Sequence, residues 1–501
     1  MNESTSCLPP GELPDADQSL ATWALWVTSA ALAAAVTYLL YDARPGINCC
    51  IATAALGMAL LLVERPGLRA LLTRRYMAIA TACALSGAIA ITASGFVQGL
   101  LLAAIATLAS VATRLGAGVA PEQMHLARIA TAPFVAPVTI ARESSRVMRD
   151  GLRAAGNARS AAPLRGVVLA AAILVVFLFL LGEADPTFET MRNALLNVVS
   201  SLSGFGRVTY FATTGFVLLG FLGITRRPPQ HDASRDADAP HAAIHTDGER
   251  LIILGSVAGL FGAFLVLQMQ YLFGNPGATV GSGVTFAQAV HRGFGEISIV
   301  VTLTSVIILL LERHAARGAR DAWVRATGCV VLGECLLLLG SAYLRLAAYE
   351  AVYGYTIARV CVRLYIVFLA TAVLLVAIEF RHSVQPGRLG WRMWIAGLGI
   401  LGILGYWNYS GWIVRANVGR YLATGRIDTD YLASTGADAV PDLLAVLPRL
   451  RPDDRAAVAA ALRVNGTRAL HTECRDGEWF EWNARRSAAC NGYKEMDDVF
   501  P

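Results

Sequence analysis

Residues 343–365 read YLRLAAYEAVYGYTIARVCVRLY, a charged and tyrosine-rich stretch between two apolar runs. The runs, 326–343 and 361–379, are each long enough to cross the roughly 30 Å hydrocarbon layer of a membrane as a helix. Gly354 lies between them and is expected to separate the two helices, because glycine is common just past a helix end. The stretch therefore predicts two membrane spans joined by a short connection, with its charges at and just below the membrane interface.

The rest of the chain repeats this apolar pattern. Of its 501 residues, 55% are hydrophobic and 16% are charged, whereas soluble domains contain about 25% charged residues. We predict an all-α fold: a polytopic helical membrane protein of about eleven transmembrane helices, with a small helical extracytoplasmic C-terminal tail. The eleven predicted spans are 21–41, 47–64, 76–93, 96–114, 166–182, 208–224, 251–272, 296–312, 326–343, 361–379 and 391–411.

The arginines predict the orientation of these spans. Alternate loops hold 23 arginines on one side and 6 on the other, and arginine is enriched on the cytoplasmic side of membranes. Residues 1–20 are polar and contain no Lys or Arg, so the first span is expected to remain as a signal anchor. The chain is therefore predicted to be a multi-pass protein of the bacterial inner membrane, with the N-terminus cytoplasmic and the C-terminus periplasmic.

The spans and the segments between them give a domain organisation. We predict a cytoplasmic N-terminal tail (1–20), a first transmembrane bundle of six spans (21–224), a disordered cytoplasmic linker (225–250), a second bundle of five spans (251–412) and a soluble periplasmic helical tail (413–501).

Two segments between spans have alternative interpretations. The segment 121–160 carries arginines at helical spacing and is interpreted as a basic amphipathic segment along the anionic inner leaflet, or as a solvated connector. The linker contains His241 and His245 at i, i+4, but nothing nearby supplies a third ligand. A disordered hinge is preferred, and no metal site is predicted.

The tail contains two cysteines and a recognisable helix start. Cys474 and Cys490 are sixteen positions apart, and such a pair usually forms a disulfide in an oxidising compartment. We therefore expect them to be bonded; the alternative is two buried free thiols. Asp438, ahead of Pro441, is interpreted as the cap of a helix.

The charged stretch is the candidate binding site. Arg345, Tyr349 and Tyr353 recur at i, i+4, i+8 and should share one helix face, while Glu334 and Arg363 should lie deepest. The further candidate ligand-binding residues are Arg292, Glu296, Glu350 and Arg359. Either these residues form an outward-facing pocket for an anionic or zwitterionic small molecule or lipid head group, or they are charge-paired anchors that join helices to the tail.

Several motifs resemble those of a known family. They are YLFG (271–274), TFAQAVHRGFGEI (285–297), the Arg345, Tyr349, Tyr353-Gly354 pattern, IDTDYLASTGADAVPDLL (427–444) and EWNARR (481–486). Over about 250–486 the chain resembles a bacterial family of polytopic membrane proteins catalogued as domain of unknown function 4173. That resemblance implies a membrane protein but no activity.

Function is therefore predicted from residues alone. No phosphate-binding loop, zinc-protease motif or serine nucleophile elbow is present, so no enzyme activity and no cofactor are predicted. The net charge of +6 is distributed over loops and predicts no nucleic-acid partner; the lipid bilayer is the expected partner. Two functions remain: transport or lipid and envelope handling through the polar pocket, or a non-catalytic envelope sensor or scaffold whose tail binds partners.

The orientation can be tested with reporters. A reporter that is active only in the periplasm should be active when fused after Pro501 and silent when inserted at Ala239, because the arginine-rich loops are expected to stay inside. Activity at both positions, or at Ala239 alone, would contradict the eleven-span topology.

Overall fold

A computed structural model of the protein describes residues 15–64, 73–116, 137–150, 205–226, 245–273, 286–313, 315, 318–382, 384–474 and 477–499. Within these ranges every regular element is helical, and one isolated bridge joins His245 and Ala315. The predicted all-α class is confirmed for this part of the chain.

The described residues divide into two compact units. The first contains α1 (Asp15–Leu40), α2 (Ile47–Glu64), α5 (Phe205–Arg226) and a helical stretch over 137–150. It also contains α3 (Arg74–Ile91) up to residue 87 and α4 (Gly95–Gly116) from residue 106. In this unit α1 packs along α5, and Ser144 donates a hydrogen bond to the Phe216 carbonyl at 2.6 Å.

The second unit contains residues 88–105 and the chain from α6 onward. Its long helices are α6 (Asp247–Phe273), α7 (Phe286–Arg313), α8 (Asp321–Tyr353), α9 (Ile357–Arg381) and α10 (Pro386–Tyr406). The tail adds α11 (Tyr409–Thr424), α12 (Thr429–Ala433), α13 (Val440–Val446), α14 (Pro452–Thr472) and α15 (Ala484–Val499), with short 3₁₀ turns at Ala437–Ala439, Leu447–Arg449 and Trp479–Glu481. Residues 88–105 belong to this unit through contacts with the tail.

Seven helices in the described ranges are long and apolar enough to cross a membrane. The qualifying segments are Gly95–Ala112, Gly206–Ile224, Asp247–Val266, Gly295–Arg313, Asp321–Tyr353, Ile357–Arg381 and Pro386–Tyr406, and shorter apolar helices cover Ala24–Leu40 and Ile47–Leu62. Every other predicted span also coincides with a helix except 166–182, which lies outside the described residues. The chain is thus a helical membrane protein, and the count of eleven spans stays a prediction.

Gly354 ends α8 where the sequence predicts the break. Its φ is +82°, a conformation that side-chain-bearing residues rarely adopt, and an added Cβ would lie 2.6 Å from Asn417 Oδ1. Thr356 then caps α9 by accepting from the Arg359 amide. Glycine is required here for both its dihedral angle and its lack of a side chain.

The apolar core of the second unit lies between α6, α7, α8 and α9. Val324, Val331 and Cys335 of α8 are fully buried and pack with Val376 of α9 and Ile308 of α7. Large apolar side chains on other faces of these helices are exposed, among them Ile252, Leu260, Leu303 and Leu337, as expected where lipid replaces water.

The same bundle contains a buried ion cluster, the Arg250 cluster, formed by Asp247, Arg250, Glu312, Asp321 and Arg325. Arg250 has no exposed surface and donates to Glu312 at 2.5 Å, Asp321 at 3.1 Å and Asp247 at 3.4 Å. These acids come from α7, α8 and the start of α6. One guanidinium therefore joins three helices at one end of the bundle.

Arg325 and Glu379 extend these contacts to α9 and α10. Arg325 donates to Asp321 at 2.8 Å and to the His382 carbonyl at 2.8 Å, at the C-terminal end of α9. Glu379 is almost fully buried and accepts both arms of Arg388 at 2.6 Å and one from Arg392 at 2.9 Å. All five long helices from α6 to α10 are thus connected at this end by charged hydrogen bonds.

In the tail, α11 to α15 have a separate apolar core. Val414, Val418, Leu443, Val458 and Leu462 are buried together there. Cys474 and Cys490 form a disulfide with 5.5 Å between their Cα atoms. The tail is therefore a folded helical subdomain with its own core.

The Arg250 cluster generates a stability prediction. Arg250→Met should lower the free energy of unfolding by about 3–5 kcal/mol, because it leaves buried carboxylates without their cation. The measurement is the unfolding midpoint of the purified protein in detergent. Arg320→Ala is the control at the same end, since its side chain is exposed and only its backbone amide binds Asp247. Equal midpoints for the two variants would contradict the structural role of Arg250.

Candidate functional site

Several of the predicted site residues lie near the junction where α8 ends and α9 begins. We call this set the Gly354 cluster: Tyr343, Arg345, Tyr349, Glu350 and Tyr353 from α8, and Arg359 and Arg363 from α9. Helical spacing places them there, since four-residue steps bring side chains onto one face.

Glu350 and Arg363 form the central pair of the Gly354 cluster. The Glu350 carboxylate is fully buried, and its Oε2 accepts from the Arg363 guanidinium. Arg363 also lies over the Tyr343 ring, 5.1 Å from its centroid. Arg363 does not pair with Glu334, the other residue expected to lie deep, because Glu334 lies about 24 Å from Glu350 along α8.

Arg359 closes the connection between the two helices. Its guanidinium lies 4.4 Å from the centroid of the Tyr349 ring and donates to the carbonyls of Tyr353, at 3.2 Å, and Gly354. The Tyr349 and Tyr353 rings are 4.7 Å apart. The predicted shared face of Tyr349 and Tyr353 therefore exists, and it supports Arg359 in capping the end of α8.

Arg345 has a different environment from the other arginines. It is half-buried, and its guanidinium donates to Ser341 Oγ at 3.2 Å. Among the described residues no carboxylate lies within ion-pair distance of it. Because helix side chains point back toward the N-terminus, this guanidinium is directed into the span.

The tail binds the backbone of the connection. Asn417 accepts from the Tyr355 amide and donates to the Tyr355 carbonyl, both at 2.8 Å. Arg420 donates to the Val352 carbonyl at 2.9 Å, and the Ile357 amide donates to the Tyr431 hydroxyl at 2.7 Å. Burial raises the pKa of Tyr431, so this hydroxyl stays neutral. Backbone groups left free at the helix ends are thus satisfied by tail side chains.

The tail also binds the turn between α3 and α4. Asp438 is buried and accepts from Thr92 Oγ1 at 2.8 Å, the Ala93 amide at 2.6 Å and Arg485 at 3.2 Å. Its predicted role as a helix cap is wrong: the residue preceding α13 is Ala439, which makes no side-chain cap. The Asp438 carboxylate instead accepts from the Ala93 amide just before α4, where backbone amides have no partner within the helix.

Asn483 and Arg485 complete this attachment. Asn483 donates to the carbonyls of Ile89 and Thr92 at 2.8 Å, and Arg485 donates to the Tyr406 carbonyl at 2.9 Å. These carbonyls lie in the last turn of α3, just past it, and at the end of α10, where helix carbonyls lack partners within the helix. The tail therefore binds the C-terminal ends of α3 and α10.

Three predicted residues lie elsewhere or outside the described residues. Glu296 is exposed on α7, and no ion pair joins it to an arginine in the described ranges. The side chain of Arg292 lies outside the described residues, although its backbone belongs to α7. Glu334 lies in the middle of α8 with its carboxyl against Gly262 of α6.

Sequence reasoning missed the tail residues of the site: Asn417, Arg420 and Tyr431. Only Tyr431 belongs to a quoted motif, IDTDYLASTGADAVPDLL, which also contains Asp438. Asn417 and Arg420 lie in a segment with no distinctive spacing, and their partners are backbone groups sixty or more positions away. No sequence signal pairs such residues with a distant carbonyl.

The site contains more cationic than anionic side chains. The Gly354 cluster and its tail contacts contain four arginines, Arg345, Arg359, Arg363 and Arg420, and one carboxylate, Glu350, which binds Arg363. No group of three or more His, Cys, Asp or Glu that could hold a metal is found in the part of the chain that the structure describes. Guanidinium groups at a membrane interface bind phosphate and carboxylate oxygens.

Comparison with known proteins gives the family. A family model described as Domain of unknown function (DUF4153) matches residues 78–446, more than two thirds of the chain. No curated protein and no solved structure matches this chain. The predicted resemblance to domain of unknown function 4173 is therefore wrong in the family it names. The match also begins at residue 78 and not near residue 250, so it includes apolar helices that carry few distinctive motifs. The chain belongs to the family described as Domain of unknown function (DUF4153).

Proposed function

We propose that this chain is a multi-pass protein of the bacterial inner membrane that binds a phosphate-bearing group at Arg345, in transport or in lipid and envelope handling. The phosphate belongs to an anionic or zwitterionic lipid head group or to a small solute of the same chemistry. One observation carries this proposal: Arg345 is half-buried in a candidate span and has a serine hydroxyl as its only described partner.

The cost of burying Arg345 supports an anionic ligand. A guanidinium removed from water is unfavourable unless acceptors replace the water, and one hydroxyl occupies one of five donors. Arg359 already donates to backbone carbonyls and Arg363 is ion-paired with Glu350, so both have less net charge to offer a ligand than Arg345. Arg345 therefore supplies both the charge and the free donors that a phosphate requires.

The aromatic residues around the site support its place at the membrane interface. The Tyr355 and Trp412 rings are 4.9 Å apart, and Trp407 lies 5.5 Å from Trp412. Tyr and Trp are enriched where lipid head groups meet the acyl chains. A lipid phosphate at this depth is within reach of an arginine on the last turns of α8.

The grouping of loops supports the proposed orientation. Loops predicted to be outside, at 94–95 and 344–360, both bind the tail, through Asp438 at the first and Asn417 at the second. Segments predicted to be inside meet at the Arg250 cluster, where Arg325 binds the His382 carbonyl. We accordingly propose that the Gly354 cluster and the tail are periplasmic and the Arg250 cluster cytoplasmic.

Arg345→Ala tests the proposed function. It should weaken binding of short-chain phosphatidylglycerol to the purified protein at least about tenfold, since a hydrogen bond to a charged group contributes about 1.5–3 kcal/mol. Binding is measured by native mass spectrometry across a lipid titration. A parallel titration with inorganic phosphate distinguishes a lipid site, which binds only the lipid, from a solute site, which binds both.

Two variants control this experiment. Arg320→Ala removes an exposed arginine at the other end of α8 and should leave binding unchanged. Arg345→Lys keeps the charge and should retain part of the affinity. If Arg345→Ala binds the lipid and phosphate as well as Arg320→Ala does, or if the wild type binds neither, the proposed site is wrong.

A second candidate function rests on the tail contacts. Asn417, Arg420 and Tyr431 hold the segment 352–357, so a partner bound to the tail acts directly on the junction of α8 and α9. This arrangement suits a non-catalytic envelope sensor or scaffold whose tail meets partners. It requires that the tail, and not only the helices, holds the connection in place.

Asn417→Ala tests that requirement. Losing both hydrogen bonds to Tyr355 should increase the rate of hydrogen exchange at the amides of 355–358 at least about tenfold, which corresponds to ~1.4 kcal/mol of protection. Thr424→Ala is the control, because its hydroxyl bonds only near its own helix end. Unchanged exchange in Asn417→Ala would rule out a tail that governs the connection.

A further inference from the structure

Glu334 is a carboxyl in the middle of a candidate membrane span. It lies on α8 about 20 Å from Asp321 and about 24 Å from Glu350, at 1.5 Å per residue. Both of those acids are ion-paired, to Arg250 and Arg325 in one case and to Arg363 in the other. Glu334 is separated along α8 from Arg325 by about two and a half helical turns and from Glu350, the partner of Arg363, by more than four.

The Glu334 carboxyl lies in the interface between α8 and α6. A Cβ added to Gly262 of α6 would be 3.3 Å from Glu334 Oε1, so the absent side chain at Gly262 leaves room for the carboxyl. The other oxygen, Oε2, is buried and has no hydrogen-bond partner among the described atoms. The half-buried Glu334 side chain thus places its carboxyl beside Gly262 of α6, and no described cation pairs with it.

No described charge on a neighbouring helix lies at the depth of Glu334. The nearest titratable group is Cys335, the next residue of α8, whose thiol is fully buried. Charged residues of the packed spans lie within about two turns of the span ends: Asp247, Glu249 and Arg250 on α6; Glu296, Glu312 and Arg313 on α7; Arg359, Arg363, Glu379 and Arg381 on α9. The other titratable side chains of α9 are Cys361 and Tyr365.

A carboxylate at this position is strongly unfavourable. An ionised group in an apolar interior costs several kcal/mol more than its neutral form unless a cation or several donors compensate, and such residues within spans mark ion and proton pathways. The neutral acid needs no cation. The geometry therefore selects the protonated carboxyl.

We propose that Glu334 is a proton-binding site of this protein, protonated when its carboxyl packs against Gly262 and ionised only when water reaches it. The step is the exchange of one proton between the Glu334 carboxyl and water, which leaves a carboxylate and a hydronium ion. The proposal is independent of phosphate binding at Arg345. It gives the bundle a group whose charge changes with the proton supply on one side of the membrane.

Labelling with dicyclohexylcarbodiimide tests this proposal on the full chain. The reagent is apolar, enters membranes and reacts with protonated carboxyl groups, adding across its carbon–nitrogen double bond and rearranging to a stable N-acylurea. Peptide mapping by mass spectrometry should find the adduct on Glu334, at least tenfold more than on Glu312 or Glu379, whose carboxyl groups are ion-paired with arginines. Labelling of Glu334 should decrease as the pH is raised, and Glu334→Gln should remove it.

Thermal unfolding provides a second measurement that does not depend on the reagent. Glu334→Gln keeps the shape of a neutral acid and should leave the unfolding midpoint unchanged at neutral pH. Glu379→Gln, the matched control, should lower it by several degrees, because Arg388 and Arg392 lose their carboxylate.

Either of two results would overturn the proposal. One is a Glu334 peptide that carries no more adduct than those of Glu312 and Glu379 at any pH tested. The other is a Glu334→Gln variant destabilised as much as Glu379→Gln, which would show that Glu334 is ionised and paired with a cation.

Discussion

The desolvation of arginine is the constraint on which the second unit of this protein depends. Arg250 has no exposed surface, and a guanidinium in that position is tolerated only when carboxylates surround it. Glu312 of α7 and Asp321 of α8 both bind Arg250, and these contacts fix the axial positions of α7 and α8 relative to α6. Apolar packing alone does not set such a register, because leucine-rich surfaces slide past one another at little cost and lipid competes for them.

The same constraint has a different solution at the Gly354 end. Arg363 is neutralised by the buried Glu350, and Arg359 is satisfied by helix-end carbonyls and a tyrosine ring. These contacts support the interpretation of the cluster as a set of anchors for the connection. Arg345 does not fit that interpretation, because a hydroxyl alone does not neutralise it. The cluster thus contains arginines paired within the fold and one arginine, Arg345, that has no described carboxylate partner.

The tail explains why its polar motifs are placed as they are. Asp438, Asn483 and Arg485 bind backbone groups at the ends of α3, α4 and α10, and Asn417 does the same between α8 and α9. Helix ends at a membrane surface expose amides and carbonyls that need partners. The family match ends at residue 446 and so includes Asp438 but not Asn483, although both serve the same turn.

The sequence itself determined three features: the apolar runs, the break at Gly354, and the shared face of Tyr349 and Tyr353. Length, glycine geometry and helical spacing are local properties, so they can be predicted without knowing distant contacts. The partners of the charged residues were not determined in this way. Glu350 rather than Glu296 neutralises Arg363, Asp438 binds a turn instead of capping its own helix, and Arg250 is the centre of a cluster that no spacing indicated. Those outcomes depend on which residues share a depth in the bundle once distant helices pack. Only the tertiary structure decides that, because the energy of a buried charge is set by neighbours that are far away in the chain.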